Sequence, residues 1–179
     1  MELKGSKTEA NLVTAFAGES QARNKYTYYA SQAKKDGYEQ IGGIFEETAG
    51  NEMEHAKLWF KALHGGKVPT TTDNLQDAAT GENYEWSTMY KTMADEARSE
   101  GFDDIARLFD AVGGVEKDHE KRYLKLLSNI NENMVFSSEE ETIWICRNCG
   151  HIYRSKDAYE VCPVCAHPKS YQQRYVENY

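Results

Sequence analysis

No cysteine occurs in the first 145 of the 179 residues. Nowhere does an apolar run approach the ~18–20 residues that a membrane span requires. The N-terminal stretch lacks a positive-then-apolar export pattern; Glu2, Lys4, Lys7 and Glu9 are scattered through it instead. A basic excess is also missing, with 21 Lys and Arg against 29 Asp and Glu and a net charge of −8. Phosphate binding needs a basic face, so nucleic acid is not expected as a partner. These absences predict a soluble, non-exported, cytoplasmic protein that engages neither nucleic acid nor membrane. What is present suffices for a core: 40% of residues are hydrophobic, and the length fits one ordinary domain plus a small module.

Apolar residues recur at intervals of three and four through residue 132, which predicts helices. Ser6 followed by Glu9 reads as a capping box, so a first helix is expected from Lys7 to Lys35, stopped by Asp36-Gly37. A second covers Tyr38 to His64 and ends at Gly65-Gly66. Residues 66–74 have no helical pattern and read as a linking segment. A third helix is expected from Leu75 to Glu100, and a fourth, capped by Asp103, runs to Asn131. Gly42-Gly43 and Gly113-Gly114 fall inside helices, where each Gly costs ~1 kcal/mol relative to Ala. The apolar stripe continues across both pairs, so both helices are read as continuous. Three tight connections and one longer one suggest a four-helix bundle, with the longer segment crossing its length. Residues 133–141 read as a hinge. The domains are therefore placed at 1–135 and 136–179.

Each helical stripe carries polar residues where apolar ones belong. The first reads Leu12, Phe16, Glu19, Ala22, Tyr26 and Ala30, and the second Ile41, Phe45, Thr48, Glu52, His55, Trp59 and Leu63. The third reads Leu75, Ala78, Glu82, Glu85, Met89 and Met93, and the fourth Leu108, Val112, Glu116, His119, Tyr123, Leu126 and Ile130. A lone Glu-x-x-His on a helix is most often a solvent-facing pair, and a lone Glu is a boundary residue. The same fault in the middle of all four stripes outweighs both readings. Uncompensated buried carboxylates cost several kcal/mol each, a charge that two metal ions would offset. One Glu from each of two helices and Glu-x-x-His from each of the others is the ligand pattern of di-iron carboxylate bundles. Glu19, Glu52, His55, Glu82, Glu85, Glu116 and His119 are the candidate ligands and catalytic residues, one carboxylate more than the minimal set.

The cysteines form two C-x-x-C pairs, Cys146/Cys149 and Cys162/Cys165, separated by 12 residues. In a chain without an export signal they read as a metal site, each pair presenting two thiolates from a turn. Four thiolates suit zinc or a single iron, and the spacing does not name which. A structural zinc ribbon is the alternative. His151 and His167 lie nearby but are read as non-ligands, because four Cys already fill a tetrahedron.

On these residues the chain resembles the rubrerythrin family over nearly its whole length. Ala15-Phe16-Ala17-Gly18-Glu19-Ser20-Gln21-Ala22-Arg23-Asn24 is similar to the family's first helix, and Glu52-Met53-Glu54-His55-Ala56 to its second ligand motif. Gly81-Glu82-Asn83-Tyr84-Glu85 resembles the family's two-carboxylate motif, and Glu116-Lys117-Asp118-His119-Glu120-Lys121-Arg122 its last motif. The cysteine segments resemble a rubredoxin-type tail. Ala166 stands where free-standing rubredoxins typically carry Gly, which is expected to alter one knuckle turn without removing a ligand.

The resemblance implies a mainly α protein, a ferritin-like four-helix bundle followed by a small rubredoxin-like β/loop metal module. It implies a non-haem iron peroxidase that reduces hydrogen peroxide to water in oxidative-stress defence. Two iron ions would sit in the bundle, with Glu85 and His55 exchanging at one of them. One iron would sit in the four-cysteine site, with zinc a substitute in recombinant material. It further implies an electron-donor protein, a rubredoxin or an NAD(P)H-dependent reductase, and a head-to-tail homodimer. Tyr28, Tyr29 and Trp59 are candidates for the apolar exterior of that dimer. Two other classes stay open at this point: a ferritin-type iron-storage protein, and a bundle with a zinc ribbon serving as an interaction module. The metal held by the cysteines separates them.

Overall fold

A computed structural model describes residues 2–178. The chain is mainly α with a small C-terminal strand module, and it divides after Pro69 into two compact units. Among the described residues no helix is long and apolar enough to cross a membrane.

The first unit is a helix hairpin, α1 (Lys7–Lys35) and α2 (Glu39–Leu63). Half of the expected capping box forms at its start: the Ser6 hydroxyl accepts from the Glu9 N–H, while the Glu9 carboxylate accepts from the Gly5 N–H, one residue before the cap, and the Ser6 N–H donates to the Leu3 carbonyl instead. Gly37 ends α1 in the left-handed conformation that glycine adopts without strain, with φ +86°. The helices run antiparallel: Phe16 meets Phe60, Tyr26 meets Phe45, and Lys34 pairs with Glu46. Their seam is built from small residues. Ala30 and Ala33 on α1, and Gly42, Ala49 and Ala56 on α2, are the buried positions, the last three at seven-residue spacing. Small side chains let the two backbones approach closely. The aromatic pairs flank this small-residue seam, while the large apolar residues Ile41, Ile44 and Leu58 stay exposed.

The second unit contains α3 (Thr71–Tyr84), a π-helical turn at Glu85–Met89, α4 (Tyr90–Ser99) and α5 (Asp103–Asn131). Two corrections fall here. The third helix begins at Thr71 rather than Leu75, because Thr70 caps it by accepting from the Asp73 N–H. Asp103 does not cap α5; Phe102 is the N-cap residue, and Asp103 and Asp104 lie in the first turn, where negative charge suits the helix dipole. The third helix is also not uniform, since the π turn inserts an extra residue into it. α5 is continuous through Gly113-Gly114 as expected, with Gly113 buried against Tyr90 and Trp86. Small residues again make the seam: Ala79, Ala94, Ala97, Ala106 and Gly113 are buried.

After α5 comes a three-stranded antiparallel sheet of β1 (Thr142–Cys146), β2 (Ile152–Ser155) and β3 (Gln172–Arg174), in the order β2-β1-β3. Its core is Trp144, fully buried, whose indole N–H donates to the Ser155 carbonyl. The segment expected as a hinge is only partly free. Arg174 donates to the Met134 and Ser137 carbonyls, the Ala158 N–H to the Phe136 carbonyl, and the Ser137 hydroxyl to Asp157. Residues 134–137 are thus tied to the strand module.

Candidate metal centres

Glu19 projects from α1 toward Glu52 and His55, which share one face of α2 at i,i+3 spacing. His55 Nδ1 lies 2.9 Å from Glu52 Oε2 and 3.8 Å from Glu19 Oε1. The second unit repeats the arrangement. Glu82 on α3 faces Glu116 and His119 on α5, with His119 Nδ1 2.7 Å from Glu116 Oε2 and 3.6 Å from Glu82 Oε1. In each trio the donor atoms all lie within 4.8 Å of one another. All four carboxylates are at least two-thirds shielded from solvent, while His55 is half exposed. Burial first, then the charge and hydrogen bond of Glu116, hold the Glu82 carboxyl above its ordinary range, against the opposing pull of His119. The trio is short of positive charge, and a cation among its atoms would supply it. Two carboxylates and an imidazole converging on one point form a donor set that iron accepts.

Glu85 is not part of either trio. It opens the π-helical turn, is half-buried, and acts on its surroundings by charge, raising the pKa of Glu82 and of Tyr90. For Tyr90 burial is the larger cause. π turns of this kind are frequent at functional sites because they re-aim one side chain within a helix.

Glu120, to which sequence reasoning gave no separate role, lies beside the second trio and braces it. It accepts from Asn83 Nδ2 at 2.9 Å and from Trp86 Nε1 at 2.6 Å, and so ties the segment carrying Glu82 and Glu85 to α5. Helical periodicity places Glu120 on the flank of its stripe, where it looks like any solvated carboxylate.

The four cysteines come together as expected. The two C-x-x-C turns are near copies. Cys146 N–H donates to the His151 carbonyl and Cys162 N–H to the His167 carbonyl, each at 2.9 Å. Gly150 N–H and Ala166 N–H return to the Cys146 and Cys162 carbonyls, also at 2.9 Å. The expected alteration at Ala166 does not occur: Ala166 takes φ +56° where Gly150 takes +76°, so the turn is kept and strain falls on the alanine. His151 and His167 contribute backbone carbonyls, and neither ring is among the clustered donors.

The sulfurs of Cys146 and Cys165, and of Cys149 and Cys162, are 3.7 Å apart. A disulfide would need ~2.05 Å. A tetrahedron with metal–sulfur bonds of ~2.3 Å has edges of ~3.75 Å, so the cage fits a tetrahedral thiolate-bound ion. The His167 N–H leads the causes that lower Cys165 to about 6, against burial. At Cys149 the His151 N–H favours the thiolate, but hydrogen bonding with Cys165, burial and the other sulfurs outweigh it and push the thiol up to about 12. A metal ion bound among the four sulfurs would favour the thiolate form of all of them, including the raised Cys149.

A family model described as Rubrerythrin matches residues 10–127, and one described as Rubrerythrin, rubredoxin-like domain matches residues 144–171. The chain is 49% identical to the rubrerythrin of Porphyromonas gingivalis, with 99% of this chain and 94% of that relative covered. It is 50% identical to rubrerythrin-1 of Clostridium acetobutylicum, covering 99% and 98%. It is 49% identical to the rubrerythrin of Nitratidesulfovibrio vulgaris, covering 94% of each.

Proposed function

The chain belongs to the rubrerythrin family, and from that premise we propose that it is a non-haem di-iron peroxidase acting in oxidative-stress defence. Membership brings the fold class, ferritin-like helices followed by a rubredoxin-like module, and the general character of an iron-dependent redox enzyme. The observation that carries the finer reading is the duplicated Glu, Glu-x-x-His trio on the same chain as a four-cysteine cage. Reduction of hydrogen peroxide consumes two electrons and two protons and releases two waters; two ferrous ions, when bound, supply one electron each.

Glu19, Glu52 and His55 on one helix pair, and Glu82, Glu116 and His119 on the other, would hold those ions, with Glu85 as an additional carboxylate beside Glu82. Glu120, gripped by Asn83 and Trp86, holds the Glu82–Glu85 segment in place. Burial and the neighbouring carboxylates keep the Tyr90 hydroxyl protonated. The four cysteines occupy every position of a tetrahedron, so the thiolate centre has no place for peroxide and serves to pass single electrons. We assign as partners hydrogen peroxide and an electron-donor protein, either a rubredoxin or an NAD(P)H-dependent reductase. The same reading takes the assembly as a head-to-tail homodimer and the compartment as the cytoplasm, where thiolates stay reduced.

The test is anaerobic. Fully reduced protein is mixed with limiting hydrogen peroxide and the thiolate-to-iron absorbance is followed. Its return, with about two electrons consumed per peroxide, is the expected result. Reduced protein unmoved by peroxide, or a colourless tail holding zinc in protein made with ample iron, overturns the reading.

A further inference from the structure

The helical parts of the two units repeat one another, and their first helices differ by one residue. Beyond the matched trios, Lys34 pairs with Glu46 where Arg98 pairs with Asp110, and Tyr38 and Phe102 are equivalent N-cap residues. Ala30 and Ala33, buried in the first seam, follow Glu19 by eleven and fourteen residues. Their counterparts in the second seam, Ala94 and Ala97, follow Glu82 by twelve and fifteen. The trio fixes the phase of the third helix at Glu82, and the seam fixes it again at Ala94. One extra residue must be housed between them. The π turn at Glu85–Met89 houses it, with the Tyr90 N–H donating to the Glu85 carbonyl.

Those two anchors require an extra residue without choosing the turn that takes it, and the aim of Glu85 depends on the choice. With the π turn after Glu85, Glu82 and Glu85 are α-helical neighbours at i,i+3 and share a face. With the π turn before Glu85, its carboxylate is rotated by ~100°, one residue's turn, away from that face. Asn83 Nδ2 donates to Glu120 Oε1 at 2.9 Å and Trp86 Nε1 to Glu120 Oε2 at 2.6 Å. Two donors three residues apart thus grip the two oxygens of one carboxylate. That grip needs α-helical phase from 83 to 86, an interval that contains Glu85. Lys117 Nζ, 4.9 Å from the Trp86 ring centre, adds a cation–π contact to the same indole. The first unit has no π turn and none of these groups: Ser20, Arg23, Met53 and Ala56 match Asn83, Trp86, Lys117 and Glu120.

Resting on the di-iron reading above, we propose that Asn83, Trp86 and Glu120 form a phase clamp. They keep the π turn on the C-terminal side of Glu85 and so aim its carboxylate at the second trio. All three are positioning residues, which act on the metal through Glu85. Tryptophan suits the task because the indole carries a single donor on a rigid ring. A long flexible side chain would follow a helix that slipped by one residue; the indole cannot, and the slip costs its hydrogen bond to Glu120.

The test is a thermodynamic cycle on full-length, metal-depleted protein. Cobalt(II) uptake is measured by calorimetry, with the thiolate-bound ion counted separately by its absorbance. Trp86→Phe keeps a ring and loses the donor, and Glu120→Ala loses the acceptor. Each is compared with Glu85→Ala and with the double variant that combines it with Glu85→Ala, after helix content and thermal melts have shown that the chains fold. Each single clamp variant is expected to weaken cobalt binding in the bundle by about 10-fold or more, the usual effect of losing a supporting partner. In the Glu85→Ala background the same substitutions are expected to add less than about 2-fold. Losses that multiply would show that the clamp acts on the trio rather than through Glu85, and single variants that bind as wild type would show no clamp; either result overturns the proposal. Wild-type protein taking up no cobalt beyond the thiolate-bound ion would instead sink the di-iron reading. The clamp is then judged from a crystal structure of metal-free Glu120→Ala. A π turn moved to the N-terminal side of Glu85 supports it; an unmoved turn overturns it.

Discussion

Ala166 shows how one residue carries strain that its neighbours impose. The knuckle needs a left-handed residue so that its N–H can reach the Cys162 carbonyl, and Gly150 fills the equivalent place without a side chain. For an L-residue with a Cβ that conformation costs about 1–2 kcal/mol. Ala166→Gly should stabilise the module by about 1 kcal/mol, and Gly150→Ala should destabilise it by a similar amount. The guanidinium midpoint of the thiolate absorbance reads both. No upward shift for Ala166→Gly would mean that the turn is unstrained. The alanine substitution was legible in the sequence; its conformation was not, because an alanine at φ +56° leaves no trace in composition.

Glu82 trades stability for metal binding. Its folded pKa is raised, so its favourable contribution is fully present below the ordinary value of 4.5 and is lost as pH rises through the raised value. Metal-free protein should accordingly lose stability from this group as the pH rises above about 4.5. Glu82→Gln removes the repulsion from Glu116 and should stabilise metal-free protein at pH 7 by about 0.5–1 kcal/mol, while sharply reducing iron binding in the bundle. Thermal melts with and without iron separate the two effects. A destabilised metal-free variant would show that the carboxylate is held by something other than a missing cation. The trios themselves were legible, since every one of their residues breaks an apolar stripe. Glu120 was not, because its role depends on Asn83 and Trp86, more than thirty residues away in sequence.

At the scale of elements, both helix pairs close on alanine and glycine, and the consequence of enlarging a glycine depends on what faces it. A Cβ on Gly42 would stand 2.7 Å from Lys34 Cγ and 3.3 Å from the Ala30 carbonyl oxygen. Lys34 can swing away, giving up its exposed pair with Glu46, but the carbonyl cannot. Gly42→Ala should force the α1–α2 seam apart and destabilise the protein by about 1–3 kcal/mol. A Cβ on Gly114 would meet nothing within 4 Å. Gly114→Ala should stabilise the protein by about 0.5–1 kcal/mol through helix propensity and the unfolded chain. Denaturant titration compares the two, and a stabilising Gly42→Ala would show that the seam has slack. The start and stop of α1 were readable from Ser6, Glu9 and Gly37. The start of α3 escaped because Thr70-Thr71-Thr72-Asp73 has no apolar member, although Thr70 and Asp73 already formed a cap signal. The π turn at Glu85–Met89 escaped for a different reason: an i→i+5 ladder changes phase by one residue without requiring a particular side chain.

At the scale of the molecule, helix type and the small metal module follow from periodicity and from the cysteine spacing. The division after Pro69 does not, because an apolar stripe says which face is covered and is silent about what covers it. The two kinds of metal centre also divide the labour of the proposed reaction. Peroxide must receive two electrons, whereas an iron held by four thiolates passes one at a time and has no open position. On the proposed reading, the Glu and His trios would hold ions able to supply two electrons together, to be replaced one at a time through the thiolate centre. Removing the thiolate centre by Cys146→Ser with Cys149→Ser should therefore leave bundle iron intact. Chemically reduced variant should still consume peroxide in a single turnover at close to the wild-type rate. Steady-state turnover supported by a donor protein should fall by about two orders of magnitude or more, since the refilling route is gone. Stopped-flow oxidation of the bundle irons measures the first, and a coupled donor-oxidation assay measures the second. Steady-state activity that survives with the tail emptied of iron would mean that the donor reaches the bundle directly, and the rubredoxin-like module would then lose its place as the electron inlet.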